Sequence, residues 1–318
     1  MRTGVFGSSD TEGKSSGFSL VRRNGVEICQ ADILSPYPGL AHGFSTRMGG
    51  ASSGCFESMN LGPGRGDDPQ AVQENFKLFC AAVGVSPENL VLSRQVHKDH
   101  VAIVTASDRG NGFLRENRFD AVNGADALIT DQPEVALMLF FADCVPIFLY
   151  DPVKRVIGLV HAGWRGTVLR IVGKTVRKME TVFGCNPTDM VAAIGPSIRV
   201  CCFETGADVE TAVRALGESF SDVIVAGTGS AEAAAELCET ETGSVVTGAC
   251  AASGSGTPIG KYHIDLQKLN KKLLIAAGLR EGCIADAGWC TMCQPDRFFT
   301  HRKMGTQRGN MAALLQLQ

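Results

Sequence analysis

"FFADCVPIFLYDPVKRVIGLVHAGWRGT", residues 140–167, holds two apolar, β-forming runs, 147–150 and 156–161, joined by a tight Asp151-Pro152 turn. Such a pair reads as a hairpin, and a third run at 135–141 stands ahead of it. Pro146 has no N–H to give a central ladder, so the strand through Leu137 and Phe141 is expected to stop before it, leaving Asp143 and Cys144 at a strand end. His161 closes the second run, and Ala162-Gly163 after it marks a chain reversal where backbone can approach a ligand closely. The hairpin thus carries a thiol and an imidazole out of the core on neighbouring strands.

Outward from this hairpin, strands and helices alternate. Further β-forming segments fall at 90–96, 101–105, 127–130 and 190–194. Asp68 as N-cap, Pro69 in the first turn, Val72, Phe76, Phe79 and Val83 on one face and Gly84 as the stop predict a helix ahead of them. Val168, Ile171, Val172, Met179 and Val182 predict a second helix over 167–183, ending at Gly184. Asp265 caps a third, through Leu266, Leu269, Leu273 and Ala276 to Gly278. Residues 41–69, dense in Gly and polar side chains, predict a long ordered loop or short hairpins. Residues 221–260, rich in Ala, Gly, Ser and Thr, predict a flexible insertion, and residues 1–17 a loose tail. No window separates two cores, so residues 18–318 read as a single α/β domain.

The 30 Lys and Arg against 33 Asp and Glu leave a net charge of −3 with no long run of one sign, which speaks against nucleic-acid and membrane-surface partners. The apolar stretch 135–150 is interrupted by Asp143 and Pro146 and is too short for a membrane span, and the first residues lack the apolar core of a signal peptide. A soluble, cytoplasmic protein is expected, its twelve cysteines reduced rather than a disulfide framework. Cys201-Cys202 read as buried and structural. Cys290 and Cys293 read as packing beside a pocket, because a zinc ribbon needs a second Cys-x-x-Cys and the sequence has none.

One thiol and one imidazole make either a nucleophile and its base or two legs of a metal site. His97 in "LSRQVHKDHV", at the end of another predicted strand, offers a third donor. A His, His, Cys set around Zn²⁺ leaves a fourth position for water or substrate, as catalytic zinc requires. Each residue alone is more often a packed or hydrogen-bonded strand end; it is their combination near the Asp-Cys step that carries weight. Asp143 is the candidate proton carrier, or else a residue that orients a ligand. Arg165 at the following helix start forms one candidate anion corner. Ser45 and Arg47 in the Gly-rich loop, with Asn60 and Arg65 further on, form another.

Taken together, "HGFSTRMGG" at 42–50, "MNLG" at 59–62, "GDDP" at 66–69, "QVH" at 95–97, "ADCVPI" at 142–147, "VHAGWRGT" at 160–167, "AAIGPSI" at 192–198 and the step from Cys290 to Cys293 resemble the multicopper-polyphenol-oxidase-like, or laccase-domain, family. The match runs from about residue 40 to 318. The resemblance implies a layered α/β/β/α sandwich, cysteine-hydrolase-like and similar to deamidating toxins. It implies zinc, rather than copper, on the positions of His97, Cys144 and His161. It implies purine nucleoside phosphorylase activity on adenosine, inosine, guanosine and methylthioadenosine, with adenosine deamination alongside. Nucleoside and inorganic phosphate would then be the partners, with Arg47 and Arg165 toward phosphate and Ser45 and Asn60 toward hydroxyls. Alternatives are an amidase that edits muramyl cell-wall precursors through zinc or the Cys144 thiolate, a copper phenol oxidase, and a non-catalytic module stapled by zinc. Phe141 before Ala-Asp-Cys, Lys98 after Gln-Val-His and the "RGNM" at 308–311 depart from the family pattern.

Overall fold

A computed structural model describes residues 17–111, 122–226 and 261–318. The chain enters through the hairpin of β1 (Phe18–Arg23) and β2 (Val26–Ala31), then β3 (Leu40–Ser45), helix α1 (Pro69–Val83), β4 (Leu90–Leu92) and β5 (Val101–Ile103). Next come β6 (Ala127–Thr130), β7 (Ala136–Phe141), β8 (Val145–Asp151), β9 (Val156–Ala162), α2 (Trp164–Val168), α3 (Ile171–Phe183) and β10 (Val191–Ile194). The remainder is β11 (Glu204–Thr205), α4 (Ala207–Arg214), β12 (Ile224–Ala226), β13 (Tyr262–Ile264), α5 (Leu266–Ala276), β14 (Ile284–Asp286), α6 (His301–Met304) and β15 (Met311–Leu317). One six-stranded sheet runs β1-β2-β3-β15-β7-β4, a second β14-β10-β8-β9-β6-β5, and a small third β11-β13-β12.

Strand alternation decides the layers, because successive side chains face opposite sides. Leu137, Leu139 and Phe141 of β7, with Ala313 and Leu315 of β15, meet Phe148 and Tyr150 of β8 and Ile157 and Leu159 of β9 between the two large sheets. The intervening Met138, Ala312 and Leu314 point the other way, onto Phe76, Phe79 and Val83 of α1. Ile147, Leu149 and Val160 leave the second sheet on its outer face, where Val172, Val176 and Met179 of α3 and Leu269 and Leu273 of α5 cover them. Strands β7, β8, β9 and β15 are thus buried on both faces, and the layers run α/β/β/α within a single domain.

The caps at Asp68 and Asp265 form, with Asp68 accepting from Gln70 N and Asp265 from Lys268 N, and Gly84 takes the left-handed conformation (φ 86°) that ends α1. Four expectations are corrected. Pro146 lies inside β8, paired with His161 in a central strand. The ladder tolerates it because His161 N turns to Asp126 O (2.7 Å), so β9 asks nothing of Pro146, and on the β10 side Gly195, one residue past that strand's end, donates to Pro146 O (2.9 Å), so that only the return bond there is lost. The helix over 167–183 is two, α2 and α3, broken where Arg170 adopts φ 60°. The strand at 90–96 stops at Leu92, since the Gln95 side chain takes over the pairing: its amide donates to Phe140 O and accepts from Phe140 N, both at 2.9 Å. Of the insertion at 221–260, residues 221–226 are a 3-10 turn and β12, paired to β13. Residues 227–260 and the tail at 1–16 lie outside the described residues. No helix among the described residues is long and apolar enough to cross a membrane.

Candidate active site

Residues Ala142 to Cys144 are the link by which the chain leaves the first sheet at β7 and enters the second at β8. Asp143 takes φ 83°, a conformation few non-glycine residues adopt, and this reverses the chain so that the Cys144 side chain faces β9. There His161, 3% exposed, points back. Gln95, pinned to Phe140, leads the loop carrying His97, itself at φ 58°, over the same spot. One donor atom each of His97, Cys144 and His161 lies within 4.8 Å of the others. The two imidazoles stand edge to face at 4.8 Å, and the Phe141 ring lies 5.4 Å from His161. His97 is exposed, so the cluster can be reached from that side.

Asp126, fully buried at the head of β6, organises this convergence. Its Oδ1 accepts from His161 Nδ1 (2.8 Å) and His97 N (3.0 Å), and its Oδ2 from Val96 N (3.1 Å) and Lys98 N (2.9 Å). One carboxylate therefore folds the His97 loop and turns the other nitrogen of His161 toward Cys144. Burial works to raise the Asp126 carboxyl, yet hydrogen bonds from His161 and the backbone hold it below its usual range. Burial would push the Cys144 thiol up, but the His161 charge and hydrogen bonds from both imidazoles bring it down to about 6. Burial would push His161 down, but Cys144 and Asp126 raise it to about 9. Between those limits the pair is a thiolate and an imidazolium.

The two glycines of "HAGWRG" have physical reasons. A Cβ on Gly163 would stand 3.1 Å from Cys144 Sγ and 3.2 Å from His97 Cδ2, and one on Gly166 would stand 2.9 Å from Lys98 O. Both leave room for the cluster to close.

The residues read as substrate contacts are placed as follows. Ser45 is buried and its Oγ accepts from Ala312 N. Asn60 is buried, accepting from Gly62 N and Asn310 N and donating to Asp67. Arg47 donates to Glu57 O (2.7 Å) and Pro295 O (2.9 Å) and lies over the Phe299 ring. Arg165 is exposed and stacks on Trp164 at 4.3 Å. Both Asp143 oxygens are occupied, Oδ1 by Thr291 Oγ1 (2.6 Å) and Oδ2 by Thr300 Oγ1 (3.2 Å) and Arg302 N (2.7 Å).

Two residues near the cluster escaped the sequence reading. Asp126 left a faint signal, a carboxylate opening the apolar run "ALIT" where an unpaired charge would be costly. Arg308 left none. It is 6% exposed, its Nη1 donates to Gly309 O and Asn310 Oδ1, and its buried Nε has no hydrogen-bond partner among the described residues. Burial, with the nearby Arg65 adding to it, lowers Arg308 to about 10, while Asp143 and Cys144 pull the other way. Among the described residues neither Arg65 nor Arg308 forms an ion pair within 4 Å, although the Asp143 carboxylate and the Cys144 thiol are near enough to act on Arg308.

The donor set fits a metal. Two imidazoles and a thiolate of lowered pKa suit a zinc-type ion, and a carboxylate behind His161 is the usual support of a metal-bound histidine. Fold and site together define a two-sheet α/β protein built around a His, Cys, His centre. The chain belongs to the family described as multi-copper polyphenol oxidoreductase laccase, whose model matches residues 41–318. A purine nucleoside phosphorylase of Bacteroides thetaiotaomicron is 33% identical over 283 residues, covering 88% of this chain and 92% of the relative. A protein named adenosine deaminase RL5, from an unknown prokaryotic organism, is 29% identical over 89% of this chain and 96% of its own length. The crystal structure of YfiH from Bacillus licheniformis superposes with a TM-score of 0.79 at 29% identity, covering 95% of this chain and 99% of that one.

Proposed function

We propose that this chain is a zinc-dependent purine nucleoside phosphorylase that also deaminates adenosine. The observation that carries the reading is the convergence of His97, Cys144 and His161 on one reachable point, backed by Asp126. Relatives that match along most of their length carry both activity names, which supports the same conclusion. Zinc on these three donors would supply a Lewis acid for the nucleoside and, for deamination, acidify water toward neutrality.

The protein's own groups do the rest. Asp126 fixes the tautomer and direction of His161 and shapes the His97 loop. Asp143, its oxygens engaged by three donors, sets the direction of Cys144 as a positioning residue. Arg308, whose Nε has no partner among the described residues, and Arg65 make the anion site, where phosphate relieves the repulsion between like charges and is held against the ribose C1′ as the purine leaves. Arg47, Ser45 and Asn60 support this wall through the contacts already described, and Arg165 contributes positive charge at the rim.

A copper phenol oxidase wants more histidines than converge here. Among the described residues only His97 and His161 meet, while His42, His263 and His301 bond to the carbonyls of Ala31, Val200 and Gly305. The deciding experiment incubates metal-quantified protein with adenosine, with and without phosphate. Adenine and ribose 1-phosphate formed only with phosphate support phosphorolysis, and inosine supports deamination. No nucleoside turnover, with amino acid released from muramyl precursors, would refute the proposal in favour of amide hydrolysis.

A further inference from the structure

Four more thiols meet outside the His97, Cys144 and His161 centre. Cys201 and Cys202 lie in the turn after β10, and Cys290 and Cys293 in the loop after β14. The four Sγ atoms are all within 4.8 Å of one another. Cys293 Sγ stands 3.7 Å from Cys201 Sγ and 3.4 Å from Cys202 Sγ, across 92 and 91 residues of chain. Cys290 Sγ meets the other three thiols and the backbone amide of Arg199. The single Cys-x-x-Cys thus meets a vicinal pair from a distant loop, and both pairs, read from the sequence as buried or packed, lie at the edge of the core.

Spacing separates the explanations. A disulfide would need sulfurs about 2.05 Å apart. A tetrahedron with Zn–S bonds of about 2.3 Å has edges of about 3.8 Å, close to the spacings observed. An iron–sulfur cluster, with thiolates on different irons, would hold some of its sulfurs farther apart than 4.8 Å. Cysteines gathered only as small hydrophobes have no reason to turn every sulfur toward one point. Cys201, Cys202 and Cys290 are buried and Cys293 half-buried, so four protein donors close the site.

We propose that Cys201, Cys202, Cys290 and Cys293 form a second metal site, a tetrathiolate that binds one structural Zn²⁺. Thiol protons pass to solvent as the ion binds, and no electron is transferred. The loops so joined are those that hold Asp143: Thr291 Oγ1 donates to its Oδ1 (2.6 Å), Ile198 N to its carbonyl (2.9 Å), and Thr291 N bridges to Ser197 O (3.0 Å). The ion would staple the wall behind Cys144.

Native mass spectrometry of the full chain, purified without chelator, counts zinc directly. Two ions per chain are expected, with Cys293→Ser losing one and His161→Ala keeping the tetrathiolate ion. In cobalt-exchanged protein, the thiolate-to-cobalt absorption of a four-sulfur site should disappear in Cys293→Ser and survive in His161→Ala. If Cys293→Ser does not fold, the wild-type count and cobalt spectrum carry the test. A single zinc retained in His161→Ala and lost in Cys293→Ser would support this site while removing the metal from the proposed reaction. A single zinc unaffected by Cys293→Ser would overturn the site, as would iron in its place or a mass two hydrogens short, the mark of a disulfide.

Discussion

Replacing Asp126 with Asn keeps the shape of the side chain and removes one of its two acceptors. The carboxylate takes four hydrogen bonds, two on each oxygen: His97 N and His161 Nδ1 on Oδ1, Val96 N and Lys98 N on Oδ2. If the Asn oxygen sits in the Oδ1 place, its NH₂ faces the amides of Val96 and Lys98. If it is turned over, the NH₂ faces His97 N and His161, whose ring must then accept at Nδ1 and carry its proton on the nitrogen aimed at Cys144. In the first case the two part-buried amides of Val96 and Lys98 lose their acceptor, and in the second only His97 N does while the His161 tautomer changes; at about 1–3 kcal/mol for each lost acceptor, a destabilisation of roughly 1–6 kcal/mol is expected. Loss of this support should also weaken zinc binding at His97, Cys144 and His161 by about 10–100-fold. Thermal melts of metal-free protein read the first effect. Competition with a chromophoric chelator in a Cys293→Ser background reads the second, since only this centre then reports. An Asn variant that melts within ~1 °C of the parent and binds zinc equally well would refute the reasoning.

Four further outcomes are expected. Gly163→Ala places a methyl 3.1 Å from Cys144 Sγ and 3.2 Å from His97 Cδ2, where φ −67° imposes no backbone strain, so it should cost about 1–3 kcal/mol and loosen the metal, seen as faster zinc release to a chelator. Arg308→Ala should raise the phosphate KM at least about tenfold while the rate of phosphate-independent inosine formation changes little; equal effects on both would contradict the anion assignment. In metal-free protein Cys144 is the thiolate above a pKa of about 6, so its alkylation by iodoacetamide should rise through pH 6 and level off by pH 7, whereas a midpoint near the ordinary thiol value would count against the His161 pairing. His42, 3% exposed, has its pKa lowered by burial from 6.5 to about 4. Because the folded state resists the proton, the stability this residue contributes is present above pH 6.5 and declines by roughly 3 kcal/mol as pH falls through about 4. Denaturant melts should show that decline flatten over this interval in His42→Phe.

Local patterns carried far into this structure. Asp68 and Gly84 bracket α1, Asp265 begins α5, and the apolar runs of β6 to β10 are where their residue types place them, because caps and strand-forming runs are properties of a few neighbouring residues. The sequence also nominated His97, Cys144 and His161, since polar, reactive side chains at the ends of apolar runs must emerge at the edge of a core. What it could not state is how two sheets stack. Pro146 enters a central strand because Asp126 O and Gly195 N take up the neighbouring bonds, which depends on register between segments far apart in the chain. Arg170 breaks the second helix at a conformation that no periodic pattern marks. Asp126, Arg308 and the union of Cys201-Cys202 with Cys290 and Cys293 depend on strand order, which brings distant residues within bonding distance. Helix caps and strand-forming runs are written along the chain, whereas the meeting of side chains across the sheets comes into being only when the two sheets close.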